Sequence, residues 1–525
     1  MGVRCRVSGV GCWVSGVGWP LLLSVFSGVL LALPFLNGAL WPFAWGAFVP
    51  LLFAVIGASK RRAFFFAYLS GLVFWSLTGF WLVHVTLLGT IVIVLYLALY
   101  FGLFGLLSSL LPRPSSFGIF ILPSLWVLLE YARSHVLTGF PWALLGYSQY
   151  LNLPAIQIAD IAGVWGVSFA VVLCNAMLAS IFIHRASLHR VSRAVAAALV
   201  VILSVYVYGL YRLNYPLPTT HYPPLRIAVV QGNIPQELKW RQTGNDAILQ
   251  KYLALTATAA KGRPDLVIWP EASFPVIWEG AGAYYSVLTG SIARGRVPLL
   301  VGAVTLKEEH YHNSAILLSQ EGRPVRQYDK IHLVPFGEYI PLRRLLPFLS
   351  TIVPIGDIER GHEYTLFHLP DRLKTKNQQL TTSFGVLICF EDVFPELARE
   401  FSRRGADLLV NITNDAWYKK TPAAYQHCAA SVFRAVENRR WVARAANTGV
   451  SAFIAPTGAI ASTVHDAYKN LIFVDGIAIE TIDAAHGPET LYTRYGDRVI
   501  LLLCVLIICS IFLRPAAYPR DTLRK

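Results

Sequence analysis

Through the first 211 residues apolar positions run on with few polar breaks; beyond them the pattern changes to short apolar runs separated by polar ones. A helix crossing a bilayer needs about 20 mainly apolar residues. Seven early stretches come close: 19–36, 39–57, 63–84, 88–111, 117–131, 161–183 and 195–211. The stretch 117–131 is the weakest, being short and running into Glu130, Tyr131 and Arg133. An eighth stretch, 498–513, follows the polar region. The pattern predicts a multi-span α-helical membrane domain of about eight transmembrane helices, seven within 19–211 and a final one at 498–513. Residues 1–18, rich in Gly, Val and Ser, read as an N-terminal extension and 514–525 as a tail. Arg4 and Arg6 before an apolar run imitate a secretory signal, but further spans follow at once and no small-residue cleavage site leads into a soluble chain. The first span is therefore read as uncleaved.

Residues 222–490 predict a second domain. Apolar, β-branched runs fall at Leu225–Gln231, Asp265–Glu271, Pro298–Val304, Ala315–Ser319, Phe384–Cys389, Asp407–Ile412 and Leu471–Ile479. Between them lie helical patterns at Ala247–Ala260, Tyr284–Ala293, Pro395–Arg404 and Ala423–Asn438. Strands interleaved with helices predict an α/β layered fold with one large core.

Composition supports the division. Apolar residues make up 55% and charged residues 14%, with a mean hydropathy of +0.51, which excludes a disordered chain, a coiled coil and a wholly soluble enzyme. A net charge of +15 invites a nucleic-acid reading, but residues 212–498 hold 31 Lys+Arg against 27 Asp+Glu, so most of the excess sits beside apolar segments. There it orients a chain in a bilayer rather than gripping phosphates, and no nucleic-acid partner is expected. Basic residues occur before the first span, between two and three (Lys60, Arg61, Arg62), between four and five (Arg113), between six and seven (Arg185, Arg190, Arg193) and after the eighth (Arg514, Arg520, Arg524, Lys525). The alternate short connections are nearly free of them, Arg133 excepted. This positive-inside alternation predicts cytoplasmic termini and an extracytoplasmic 222–490 domain, periplasmic in a cell with two membranes.

The seven cysteines include only two, Cys389 and Cys428, in the polar region, too few for a disulfide framework, and no Cys/His spacing suggests zinc. Three strings place polar residues at the ends of apolar runs. Val267-Ile268-Trp269-Pro270-Glu271 ends on a carboxylate; Tyr328-Asp329-Lys330 leads into Pro335-Phe336-Gly337-Glu338; Gly385-Val386-Leu387-Ile388-Cys389-Phe390-Glu391-Asp392 ends on a thiol. Singly, each has a plain structural reading: a small core thiol, a solvated charge. Jointly, Glu, Lys and Cys form a workable nucleophilic set. A carboxylate can take the thiol proton, an ammonium can stabilise an oxyanion, and the thiolate can carry an acyl group as a thioester.

These strings resemble the carbon–nitrogen hydrolase (nitrilase) superfamily, which uses Glu, Lys and Cys on an αββα sandwich. With the predicted spans, and with Gly139-Phe140-Pro141-Trp142 and Gly146-Tyr147-Ser148-Gln149 in the membrane half, the chain is similar to that superfamily's membrane-embedded apolipoprotein N-acyltransferases. The resemblance extends over nearly the whole chain past the first span. It implies Glu271 as general base, Lys330 as oxyanion stabiliser and Cys389 as nucleophile, with Glu338 and Glu391 as further functional carboxylates. It also implies Trp240 and Trp417 as aromatics on mobile loops near the site. Phe390 stands where better-known members carry tyrosine and is read as a tolerated change. The implied activity is transfer of an acyl chain from a phospholipid, through a cysteine thioester, to the N-terminal amine of diacylglyceryl-cysteine in an apolipoprotein. Neither a metal nor an organic cofactor is implied.

Two other readings stay open. A membrane-tethered amidase of nitrilase type would use the same three residues with water as second nucleophile. A transporter or receptor would show inward-facing charges in its spans, where only Glu130 and Asp160 qualify. Glu130 and Arg133, three apart, are a candidate interfacial pair. Trp278 and the string Leu345-Leu346-Pro347-Phe348-Leu349 are candidates to enter lipid or cover the site. Cys428 is read as a structural thiol, and Asn411-Ile412-Thr413 as an accidental glycosylation sequon in a buried strand.

Overall fold

The computed structural model describes residues 18–111, 118–215, 224–239, 242–335, 337–339, 358–369, 382–484 and 487–510. Helices overlap each of the seven spans predicted before residue 212, and one more, α6, lies between them. They are α1 (Gly18–Leu36), α2 (Val49–Val55), α3 (Lys60–Thr78), α4 (Leu87–Ser109), α5 (Gly118–His135), a short α6 (Leu153–Ile156), α7 (Ala159–Ile183) and α8 (Ser192–Asn214). By length and apolar composition five described segments can each cross a membrane: Gly18–Leu36, Gly38–Val55, Leu87–Ser109, Ala159–Ile183 and Ser192–Asn214. The other expected spans carry charge or are short: α3 opens on Lys60, Arg61 and Arg62, α5 ends in Glu130, Arg133 and His135, and the last described helix, Arg498–Cys509, has 12 residues. The stretch 39–57 is not one regular helix either, because a 3-10 segment, Gly38–Trp45, precedes α2.

The second domain pairs two six-stranded sheets. The first contains β1 (Leu225–Gln231), β2 (Leu266–Ile268), β3 (Leu299–Lys307), β4 (His310–Leu318) and β5 (Pro324–Asp329), with β12 (Gly476–Ile482) beside β1; α9 (Asn245–Ala260) and α10 (Gly282–Gly295) lie between its strands in the chain. The second runs β6 (Leu366–Leu369), β7 (Thr382–Ile388), β8 (Leu408–Thr413), β9 (Trp441–Ala446), β10 (Ala452–Ile454) and β11 (Ile460–Thr463). Helices α11 (Pro395–Arg403) and α12 (Ala423–Asn438) connect β7 to β8 and β8 to β9, and α13 (Leu491–Tyr495) and α14 (Arg498–Cys509) close the described chain.

Strand alternation builds the layers. Ile227, Val229, Leu266, Ile268, Ala315 and Leu317 join the core shared with the second sheet, whereas Ala228, Val230, Val267, Trp269, Ile316 and Leu318 pack with Ile248, Leu249 and Tyr252 of α9 and Leu288 and Ile292 of α10. A period of two thus sends alternate side chains to opposite faces. The shared core continues into the membrane half through Trp142, Tyr147, Val164 and Trp165. Five strands were not expected, β5, β6, β9, β10 and β11. The expected Leu471–Ile479 strand begins later, at Gly476, because Leu471 and Val474 turn their carbonyls to the Gln231 amide.

Candidate active site

Each residue of the expected catalytic set follows a strand. Glu271 follows β2, and its backbone lies tight against β3: a Cβ on Gly302 would come 2.3 Å from the Pro270 oxygen and 2.7 Å from Glu271 Cα. Only glycine permits that approach. Lys330 is the residue after β5, and Cys389 the residue after β7. Cys389 sits in the left-handed region at φ 55, a strained backbone for a residue with a side chain.

The structure brings Glu271, Lys330 and Glu338 into one cluster. Lys330, 1% exposed, donates from Nζ to Glu338 Oε1 at 2.9 Å and lies 3.7 Å from Glu271 Oε1. Asn313 on β4 ties the two carboxylates together, donating from Nδ2 to Glu271 Oε1 at 2.7 Å and to Glu338 Oε1 at 2.9 Å. Glu338 Oε2 also accepts from the Val334 amide at 2.8 Å. Burial opposes the charge of Lys330, but Glu338 and Glu271 outweigh it and hold the ammonium pKa above the ordinary lysine value. Cys389 lies within electrostatic reach of both Glu271 and Lys330. Burial, and then the charge of Glu271, push its thiol well above the ordinary cysteine pKa, against the pull of Lys330. Such a thiol is protonated at neutral pH and needs a base. The arrangement offers one in Glu271, and a permanently charged ammonium for an oxyanion.

Glu391 supports the frame. Its Oε1 accepts from the amides of Ile331 at 2.7 Å and His332 at 3.0 Å, and from the Tyr328 hydroxyl at 2.9 Å; its Oε2 accepts from the Ile388 amide at 2.7 Å. One buried carboxylate therefore ties the chain after Lys330 to the strand before Cys389. Burial pushes its pKa up to about 7 against those amide donors. Phe390 stacks on Trp142 at 6.1 Å with 18° between the rings. Trp417 stands in a 3-10 turn and is 49% exposed, while the next residue, Tyr418, packs edge-on to Trp81 at 4.4 Å. Trp240 and Leu345–Leu349 lie outside the described residues. Trp278 packs within its own domain, on Phe274 and Tyr285.

Several side chains escaped the sequence reading. Lys239 is 4% exposed and donates from Nζ to the Glu271 carbonyl at 2.9 Å; burial brings its pKa down to about 8 despite the Glu271 carboxylate. Beneath Cys389 lies a buried ionic network. His427 Nδ1 is 2.8 Å from Asp415 Oδ1, and Nε2 is 2.8 Å from Asp392 Oδ1 and 3.3 Å from the Cys389 carbonyl oxygen. Arg444 bridges the same two aspartates at 2.8 and 3.2 Å. Every neighbour of the two ring nitrogens among the described residues is an acceptor, so the ring is an imidazolium. The signal was present in sequence as a histidine among small residues in Ala423–Asn438, but its partners lie 12 and 35 positions away, as Asp415 and Asp392. Asn411, the sequon residue, is fully buried and donates to the carbonyls of Leu387 and Cys389, both at 3.2 Å, which leaves no room for a glycan.

Burial opposes the His427 charge, and the carboxylates of Asp392 and Asp415 outweigh both it and Arg444, raising the pKa to about 9. A pKa raised above the unfolded value of 6.5 contributes stability that is complete below about pH 6.5 and lost as pH rises through about 9, in all about 3 kcal/mol. Melting temperatures in detergent from pH 6 to 8, below the range in which Lys239 titrates, are expected to fall in the native protein. His427→Gln is expected to start lower at pH 6 and to lose most of that slope. An unchanged slope would show that other groups set it.

The model for the apolipoprotein N-acyltransferase N-terminal domain matches residues 27–177, and the carbon-nitrogen hydrolase model matches 226–486. The apolipoprotein N-acyltransferase of Geobacter metallireducens is 39% identical over 92% of this chain and 93% of its own length. The chain belongs to the apolipoprotein N-acyltransferase family. The Pseudomonas putida member is 31% identical, over 94% of this chain and 97% of its own. A crystal structure of an amidase from Nesterenkonia sp. aligns with a TM-score of 0.37 and 19% identity, covering 53% of this chain and 96% of that one. As an apolipoprotein N-acyltransferase family member with five described segments apolar and long enough to cross a bilayer, the chain is a membrane protein.

The membrane half packs beside the site through Trp142, whose ring stacks on Phe390. Glu130 and Arg133 of α5 are both buried and bind the following loop: Glu130 Oε1 accepts from the Leu145 amide at 2.7 Å, and Arg133 Nη1 donates to the carbonyls of Phe140 and Trp142 at 2.6 and 2.8 Å. Asp160, the other inward-facing charge, is paired with Arg439 at 2.7 Å and Arg212 at 3.0 Å.

Proposed function

We propose that this protein transfers an acyl chain from a phospholipid to the N-terminal amine of a diacylglyceryl-cysteine in an apolipoprotein, with Cys389 as carrier. The observation that carries the reading is a buried lysine, Lys330, held 3.7 Å from the Glu271 carboxylate and 2.9 Å from that of Glu338, with the buried Cys389 thiol within electrostatic reach of Lys330 and Glu271. In the first half-reaction Glu271 takes the thiol proton as sulfur attacks the ester carbonyl, and the Lys330 ammonium neutralises the oxyanion. Collapse expels the lysophospholipid alkoxide, which receives the proton from Glu271, and leaves a thioester. In the second, the lipoprotein amine attacks that thioester, Glu271 takes the amine proton, and collapse returns it to the departing sulfur. Glu338 and Asn313 hold Lys330 and Glu271 in register; Glu391 fixes the two segments that carry Lys330 and Cys389.

The chain crosses the bacterial inner membrane several times, with cytoplasmic termini and the catalytic domain in the periplasm. The basic connections support that orientation, and it places Cys389 on the side where lipoproteins emerge. A reporter enzyme fused after Leu217 is expected to be active only outside the cytoplasm; cytoplasmic activity would overturn the orientation.

Mass spectrometry of the purified protein with a defined phospholipid tests the reaction. One acyl mass on Cys389, stable until a diacylated lipopeptide is added and then transferred to it, is expected. An acyl mass lost to water without the lipopeptide would instead favour the amidase reading, and no acyl mass would overturn the proposal.

A further inference from the structure

Helix α12 carries two adjacent polar side chains with different hydrogen-bond partners. His427 faces the catalytic domain and holds the Cys389 carbonyl. Gln426, 7% exposed, faces the membrane half and makes all four of its amide's hydrogen bonds there. Its Nε2 donates to the carbonyls of Phe35 at 2.9 Å and Thr78 at 3.1 Å. These lie in the last turns of α1 and α3, where a helix offers no amide of its own. Its Oε1 accepts from the indole N–H of Trp142 at 2.7 Å and of Trp81 at 3.3 Å. One side chain from the catalytic domain therefore caps two membrane helices and anchors two tryptophans.

The same pieces reach the nucleophile. The Trp142 ring stacks on Phe390, the residue after Cys389, and lies 5.3 Å from the His427 ring. Trp81 and Trp142 both pack on Tyr418. Arg133 holds the Trp142 carbonyl from the other side. Contacts therefore run from the ends of α1 and α3 through Gln426 and the Trp142 indole to Phe390, the neighbour of Cys389.

We propose that Gln426 is a positioning residue for acyl transfer out of a bilayer. It touches no reacting atom; it sets the height and tilt of Cys389 relative to the helices that face lipid. The proposal rests on the acyl-transfer reading above. A donor embedded in a bilayer cannot adjust its depth to a tilted site, whereas a soluble donor reorients freely, so the two should respond differently when the joint is loosened. Misplacement by about 1 Å costs on the order of 100-fold in such a reaction.

The test compares two donors on the full-length protein in proteoliposomes: phosphatidylethanolamine in the bilayer, and a water-soluble short-chain aryl ester, each read as acylation of Cys389 by mass spectrometry. Gln426→Met keeps the length and removes all four hydrogen bonds. The rate constant for Cys389 acylation by the bilayer donor is expected to fall about 10- to 100-fold, mainly in its value at saturating donor, while the soluble ester loses less than about threefold. His427→Gln, which loosens the Cys389 carbonyl itself, should impair both donors. If Gln426→Met does not reach a folded state, judged by its melting temperature, Gln426→Glu carries the test. It keeps the shape and the acceptors for both indoles but sets an oxygen against the Phe35 and Thr78 carbonyls, and the same split is expected. Equal losses with both donors, or none with either, would overturn the positioning role. A native protein that acylates from neither donor would bring down the acyl-transfer reading and this inference with it.

Discussion

Cys389→Ala is expected to abolish acyl capture: no acyl mass on the protein after incubation with phospholipid, and a rate of lipopeptide acylation at least about 10⁴-fold below native. The reason lies in the division of labour. Glu271 and Lys330 can polarise an ester and manage a proton, but neither can hold the acyl group between two substrates that arrive in turn. Only the thiol can, and it stands at a strand exit with a left-handed backbone held by Asn411 and His427 through its carbonyl. Alanine fits the same backbone at little cost, so the variant should fold and melt close to native, which separates lost chemistry from lost structure. Native enzyme should release its acyl mass with hydroxylamine. Cys428→Ala is the control: that thiol is 2% exposed in the core of α12, and its loss should leave the reaction near native. If Cys389→Ala turned over within tenfold of native, the thioester route would be wrong.

Lys330→Met is expected to cost at least about 10³-fold in Cys389 acylation, and about 3–5 kcal/mol in stability as well. Lys330 lies between Glu271 and Glu338 with 1% of its surface exposed. Without it two carboxylates remain face to face, joined only by the Asn313 amide. Like charges in so dry a place do not both persist, and one carboxylate takes a proton. That proton neutralises or weakens the base while the cation for the oxyanion is gone, so both catalytic functions fall together. The stability loss should depend on pH in a defined sense. At pH 5 the captured proton partly replaces the missing ammonium, and at pH 8 holding it becomes costly, so the variant should melt further below native at pH 8 than at pH 5. Melting temperatures at the two pH values, beside the acylation rate, check both claims; a variant retaining a tenth of native rate would remove Lys330 from the mechanism.

Much of the architecture was legible because its causes are local. A run of apolar residues long enough for a bilayer needs no partner to be recognised, and helices stand at each such run before residue 215. The runs at Leu225–Gln231 and Ala423–Asn438 kept those bounds in the structure, since each is amphipathic or apolar on its own terms. Strands β9 to β11 were not legible. Trp441-Val442-Ala443-Arg444-Ala445-Ala446 carries an arginine in its middle and resembles a helix as much as a strand; it becomes a strand because β8 on one side and β10 on the other supply its hydrogen bonds.

The candidate site divides the same way. Glu271, Lys330 and Cys389 could be picked out because each follows an apolar run, and a strand's end is where a layered fold exposes a side chain. Their mutual distances could not, since Lys330 and Cys389 stand on different sheets. Asn313, Lys239 and His427 remained hidden because nothing near them in the chain calls for a buried polar group; their need is created by Glu271, Asp392 and Asp415, which folding brings within hydrogen-bonding reach.

Sequence alone determined that this chain has an apolar helical part and an α/β part, and which residues at strand ends could carry chemistry, because periodicity and hydropathy act over a few neighbouring residues. Tertiary structure alone decided that Asn313 joins the two carboxylates, that an imidazolium underlies the thiol, and that Gln426 ties the two halves together. Those contacts span up to 391 positions of chain, and a buried polar atom is satisfied by whatever the fold delivers to it, a condition that no short stretch of residues can express.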